Sequence, residues 1–185
     1  MSIQQQRVSL KNLKVADFAS EETLCFTATV LFDGEPIADA NNDGHGGMTF
    51  VRARDGKQPK LAEAEQFAAS LPPEVTTYDD PQDSSRKFTI EITLDYVVDD
   101  LANTMHADKK IRAAFNRDIG NKVLFIKDGK LLFLKGVKLR SITDRSAYFT
   151  RLRASQKQPI TILAELAPDA AFALWKQHTG NDDAS

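Results

Sequence analysis

The sequence predicts an α+β fold: an N-terminal antiparallel β-meander packed against a long helix, then a β-hairpin and a short C-terminal α/β segment. Three observations carry this. Residues 23–32 alternate strictly, with Leu24, Phe26, Ala28, Val30 and Phe32 on one side. Apolar residues between Leu94 and Phe115 recur at helical spacing. Lys127-Asp128-Gly129-Lys130 stands between two apolar runs as a hairpin turn. A chain of 185 residues, 42% hydrophobic, has the usual size of one domain. The composition divides it into a β-meander (1–58), a helical part (59–121) and a hairpin with a basic C-terminal part (122–185).

The meander opens with a loose alternation over 7–18 (Val8, Leu10, Leu13, Val15, Phe18), broken by Ala19-Ser20-Glu21-Glu22. The strand from Thr23 to Phe32 ends at the turn signal Asp33-Gly34. A short strand Pro36–Ala40 follows, then a glycine-rich connection, and Met48–Ala53 resumes the β pattern. Leu61, Ala64, Phe67, Ala68 and Leu71 mark a helix that Pro72-Pro73 must stop. The polar stretch 74–85 reads as a mobile surface loop.

The long helix is expected over 88–117, as one piece or as two broken near Thr104–Ala107; Phe88–Thr93 also alternates like a strand. Its core stripe would be Leu94, Val98, Leu101 and Met105, with Asp95 and Asp99 toward water. Glu91, Asp95, Asp99 and Asp100 would then form an acidic stripe, either a solvated face or a dock for a basic partner. Beyond it, Val123–Ile126 and Leu131–Leu134 form the hairpin, and 141–153 is helical with Asp144 near its start. Residues 159–166 read as strand or helix, Pro168 suits the first turn of a helix over 169–178, and 180–185 should fray.

The lone Cys25 excludes an internal disulfide and any zinc site of several thiolates; it fits a buried thiol in a reducing compartment. Neither a signal peptide nor a membrane span is expected, which places the chain in the cytoplasm. The net charge of −2 conceals an imbalance: residues 122–158 carry 10 Lys/Arg against 2 Asp/Glu, whereas residues 1–121 carry 13 against 20. A basic block inside an acidic chain is a footprint for phosphate or for an acidic protein face.

Asn42, Asp43, Gly44, His45, Gly46 and Gly47 form the second feature that invites a functional reading. Asp39-x-Asn41-x-Asp43-Gly44 matches the opening of an EF-hand loop. The second half does not: Phe50 stands where a bidentate Glu belongs, and the flanks read as strands. The glycine amides could also cradle an anion, but no Walker lysine and no helix start follow. His45 as a general base would need a nucleophile or an orienting carboxylate; Asp39 and Asp43 are near, but no elbow serine is. His106 and His178 lack the i, i+4 partner of a zinc helix. The favoured reading is a structural connection whose Gly46 or Gly47 takes positive φ, with no metal and no cofactor.

Phe18-Ala19-Ser20-Glu21-Glu22-Thr23-Leu24-Cys25-Phe26-Thr27-Ala28-Thr29-Val30, then Asn42 to Gly47, Leu71-Pro72-Pro73 and the Val123–Leu132 hairpin together resemble a family of uncharacterised small proteins of phages and other bacterial mobile elements. The resemblance spans about residues 7–135. It implies a bacterial host cytoplasm and an accessory role that counters host defence; it transfers no catalytic residue.

The candidate binding residues are Lys135, Lys138, Arg140, Arg145, Tyr148, Arg151 and Arg153, cations interleaved with an aromatic as contacts to nucleic acid would use. They could equally face the acidic helix, within the molecule or across a dimer. The expected function is therefore a non-enzymatic binding protein of a phage or mobile element that blocks a host protein or nucleoprotein complex, such as a CRISPR-type antiviral system. The alternatives are a nucleic-acid-binding accessory protein using 122–158, and a small metal-dependent or hydrolytic enzyme centred on His45.

Overall fold

The computed structural model describes residues 3–179, so the fraying expected of 180–185 lies outside the described residues. Backbone contacts divide the chain into two compact units, Met1–Ala107 and Asp108–Ser185. The boundary falls inside a helix, where no composition break marks it.

The first unit is built on a four-stranded antiparallel sheet of β1 (Val8–Val15), β2 (Phe26–Phe32), β3 (Glu35–Asn42) and β4 (Phe50–Ala53), in sequence order as a meander. Asp33 and Gly34, with φ of 51° and 80°, close the β2–β3 hairpin, for which two left-handed central residues match the strand twist. Edge strand β1 is interrupted by a bulge between Lys11 and Lys14, where Asn12 takes φ 54°, which blunts a free edge. The inner face presents Val8, Leu10, Phe26, Ala28, Val30 and Phe32 to α1 (Gln58–Ala69) and to the first turns of α2 (Leu94–Asn121). Helix α1 meets that face through the fully buried Ala64 and Ala68, whose small side chains permit close approach.

Four expectations change here. The stretch 74–85 is not a loop but lies within an antiparallel pair, β5 (Glu74–Asp80) and β6 (Asp83–Ile90). The polar residues that suggest a loop shape its tip: Asp80 accepts a hydrogen bond from the Gln82 amide at 2.8 Å and Asp83 from the Ser85 amide at 3.0 Å. Such Asx turns let Asp serve a hairpin. Helix α2 thus starts at Leu94 rather than Phe88 and runs unbroken for 28 residues. Within the first unit its buried residues are Leu94, Val97, Val98 and Ala102, with Phe115 buried further along; Leu101 is half-buried and Met105 is 39% exposed, so the stripe facing the first core ends a turn early. Asp95 and Asp99 are half-buried rather than turned to water.

The second unit adds β7 (Leu124–Lys127), β8 (Lys130–Phe133) and β9 (Thr161–Ile162), in the order β8-β7-β9. Asp128 and Gly129, at φ 50° and 71°, make the predicted turn. Central strand β7 and the residue before it divide between two clusters by the period of two. Val123 and Phe125 join Phe149 and Leu152 of α3 (Arg145–Ala154), whereas Leu124 joins Phe115 of α2 with Ala171 and Trp175 of α4 (Pro168–Thr179). The ambiguous 159–166 segment is both things in turn, a two-residue strand and a short 3-10 helix, Leu163–Glu165. Pro168 is the first residue of α4, and Asp144 caps α3 by accepting from the Ala147 amide at 2.9 Å.

The helix phase yields a direct expectation. Leu94→Ala, at 4% exposure, should cost about 2–5 kcal/mol, whereas Met105→Ala should cost under about 0.5 kcal/mol. Chemical denaturation followed by circular dichroism separates the two; equal losses would mean that the stripe continues past Ala102.

Candidate polyanion-binding face

The glycine connection is organised by one side chain. Asn42, 3% exposed, ends β3 with its amide inside the loop. Its Oδ1 accepts from Thr23 Oγ1 at 2.9 Å and from the Gly44 amide at 2.8 Å. Its Nδ2 donates to the Gly47 carbonyl at 3.0 Å and to Thr49 Oγ1 at 3.1 Å. All four hydrogen-bonding positions of the amide are thus used within the protein. Thr49 passes the connection on by donating to Asp99 on α2 at 2.5 Å. Burial raises the Asp99 carboxyl above its ordinary value, with the neighbouring Asp95 charge adding to this, while the Thr49 hydroxyl holds it down.

The glycines follow from this packing. Gly44 (φ 90°) and Gly46 (φ 84°) take left-handed angles; Gly47 does not. The Gly44 carbonyl accepts from the amides of Glu21 and Glu22, both at 3.0 Å. A Cβ at Gly44 would lie 2.0 Å from the Ala19 carbonyl oxygen, so only glycine fits. The loop amides therefore turn to the protein rather than to an anion: Gly44 to Asn42, His45 to Asp43 and Gly46 to Thr23. Asp39 is taken by Arg54, whose hydrogen bonds draw that carboxyl below its usual range. No group of three or more His, Cys, Asp or Glu among the described residues could hold a metal. His45 is exposed, its Nδ1 3.4 Å from Glu21. Among the described residues no nucleophile is hydrogen-bonded to its ring. His106, by contrast, ties α2 to Asp17 at 2.9 Å. Cys25 is half-buried rather than buried.

Two residues of the acidic stripe are likewise engaged: Asp99 holds Thr49, and Asp100 accepts from the Ile3 amide at 3.0 Å. Glu91 precedes the helix, exposed.

The basic block behaves differently. The division into units sharpens the charge imbalance: residues 1–107 carry 9 Lys/Arg against 18 Asp/Glu, net −9, and residues 108–185 carry 15 against 8, net +7. In the first unit five of the nine cations, Arg7, Arg54, Lys57, Lys60 and Lys87, are ion-paired, as in Arg7–Asp33 at 2.7 Å, Arg54–Asp39 at 2.7 Å and Lys87–Asp79 at 2.6 Å. In the second, Arg112, Lys122 and Lys176 pair with Asp169, Asp118 and Asp108. The two carboxylates of 122–158 serve structure, Asp128 in the hairpin turn and Asp144 as a cap.

Of the predicted binding residues, Arg153 pairs with Glu165. Lys135, Lys138, Arg140, Arg145 and Arg151 are exposed, and among the described residues none has a carboxylate within 4.0 Å. One apolar cluster gathers them. Leu139, buried between Lys138 and Arg140, packs with Phe149 and Leu152 of α3, and Leu134 beside Lys135 touches the same cluster. Helix α3 buries Phe149 and Leu152 in this core, while Arg145 in its first turn and Arg151 are exposed. Tyr148 is half-buried with its ring edge-on to Phe149, centroids 6.2 Å apart at 77°. With Arg151, Leu152 and Ser155 it lines a shallow groove. The Arg151 Nε donates to the Ala147 carbonyl at 3.3 Å, which steadies the guanidinium beside it. Sequence spacing alone does not indicate this groove, because it depends on which face of α3 is buried.

No helix of the described residues is long and apolar enough to cross a membrane. Comparison with protein-family models, with curated proteins and with solved structures finds no match to this chain.

Two expectations follow from the Asn42 clasp. Gly44→Ala should destabilise by more than about 1 kcal/mol, through strain at positive φ and the contact with Ala19, and Asn42→Ala by about 1–3 kcal/mol through the partners it leaves unpaired. Gly47→Ala, whose new Cβ would meet nothing nearer than 4.0 Å, should leave the melting temperature nearly unchanged. The second concerns pH. A carboxyl raised on folding favours the folded state while protonated and loses that contribution as pH rises through its folded value. The melting temperature of Asp99→Asn relative to the parent should therefore improve between the ordinary carboxylate range and neutrality. A constant difference would remove Asp99 as the titrating group.

Proposed function

We propose that this chain is a non-enzymatic binding protein whose second unit engages a polyanionic surface through the face around α3. The carrying observation is the group Lys135, Lys138, Arg140, Arg145 and Arg151, exposed and without carboxylate partners among the described residues, in a unit of net charge +7. Cations that stabilise the fold are ordinarily paired or capping; five left open around one apolar cluster project a concentrated positive potential. The geometry supports electrostatic occupation, because it offers charge and area around one apolar cluster. In the phage or mobile-element setting that the resemblance implies, the occupied surface belongs to a host protein or nucleoprotein complex, such as a CRISPR-type antiviral system, and the effect is blockade.

The test is a quadruple variant, Lys138→Ala, Arg140→Ala, Arg145→Ala and Arg151→Ala, on immobilised heparin. The parent should be retained and elute only as salt screens the contact, and the variant should elute at clearly lower salt. Its melting temperature should stay close to the parent's, since none of the four is ion-paired to a carboxylate. Equal retention of both proteins would refute the reading. A large loss of stability with retention intact would make these cations structural.

A further inference from the structure

We infer that the groove formed by Tyr148, Arg151, Leu152 and Ser155 accepts an unpaired base, so that the polyanion this face takes is single-stranded nucleic acid. This rests on the proposed polyanion-binding role and narrows it. An acidic protein surface or a duplex backbone needs only projecting cations, and Lys138, Arg140 and Arg145 supply those. The groove offers something else. Its floor is Leu152, 8% exposed, and one wall is the Tyr148 ring, held by its edge-on contact with Phe149. Among the described residues the Tyr148 hydroxyl makes no hydrogen bond, so the ring is not positioned by a polar tether. Arg151, three residues on, stands on the same strip of helix with its Nε anchored on the Ala147 carbonyl.

An aromatic face and a guanidinium plane over an apolar floor accept any planar base. The surrounding cations neutralise the phosphates on either side. In a duplex the bases are stacked away inside, and the groove would go unused. Stacking of this kind is indifferent to sequence, so the face should bind single strands with little preference among bases.

The experiment measures fluorescence anisotropy of the full chain with labelled oligothymidylate of about 20 nucleotides, longer than one site requires. The same measurement uses a duplex of equal length and polyglutamate as competitors. Single strands should bind more tightly than duplex, and polyglutamate should compete weakly. Tyr148→Leu, which keeps apolar bulk against the core, should lose roughly 5- to 100-fold in single-strand affinity while its heparin elution stays unchanged. Tyr148→Phe should bind like the parent. Circular dichroism verifies that each variant is folded. Duplex binding as tight as single-strand binding, or an unaffected Tyr148→Leu, would overturn the inference and leave the polyanion reading standing. Binding to none of the probes would overturn both.

Discussion

The first unit depends on a buried amide with no hydrogen-bonding position left free. Asn42 receives the Thr23 hydroxyl and Gly44 amide on its oxygen and gives its two hydrogens to Gly47 and Thr49. Those four groups come from the approach to β2 and from the loop before β4, and Thr49 extends the chain to Asp99 on α2. A buried polar network is stabilising only when complete, because each orphaned group keeps its desolvation cost. The glycines at 44 and 46 are the geometric condition for that completeness. The composition that resembles a ligand loop is what an internal clasp requires.

The second unit follows the opposite electrostatic rule. Where the first unit pairs five of its nine cations with nearby carboxylates, the α3 region uses its two acids for a turn and a helix cap, leaving Lys135, Lys138, Arg140, Arg145 and Arg151 unmatched among the described residues. Self-repulsion among them is a cost that the fold carries without local compensation. Arg153, held by Glu165, marks the edge of the uncompensated set.

Much of the architecture was legible in the residues. The meander, the Asp33-Gly34 and Asp128-Gly129 turns, the Asp144 cap and the Pro168 helix start all rest on local chemistry that short sequence windows contain. What escaped depended on distant partners. The β5–β6 pair was hidden because Asx turns and mobile loops use the same residues. Asp99 looked solvated because its partner Thr49 lies 50 positions away. Met105 continued the apolar period, yet the core it would have joined ends at Ala102. The binding residues were legible as a basic block, whereas the separation of Arg153 from Arg151 and the groove at Tyr148 required the phase of α3.

Trp175, the chain's one tryptophan, lies 6% exposed among Phe115, Leu163 and Ala171, its indole N–H without a hydrogen-bond partner among the described residues. An indole in such dry surroundings emits at short wavelength and shifts red on exposure to water. Because it sits in the Asp108–Ser185 unit, its emission is a reporter of that unit alone. Loss of the Asn42 clasp would pass unseen in tryptophan fluorescence if the units unfold separately, so a melt followed by emission and one followed by backbone ellipticity measure whether they share one transition.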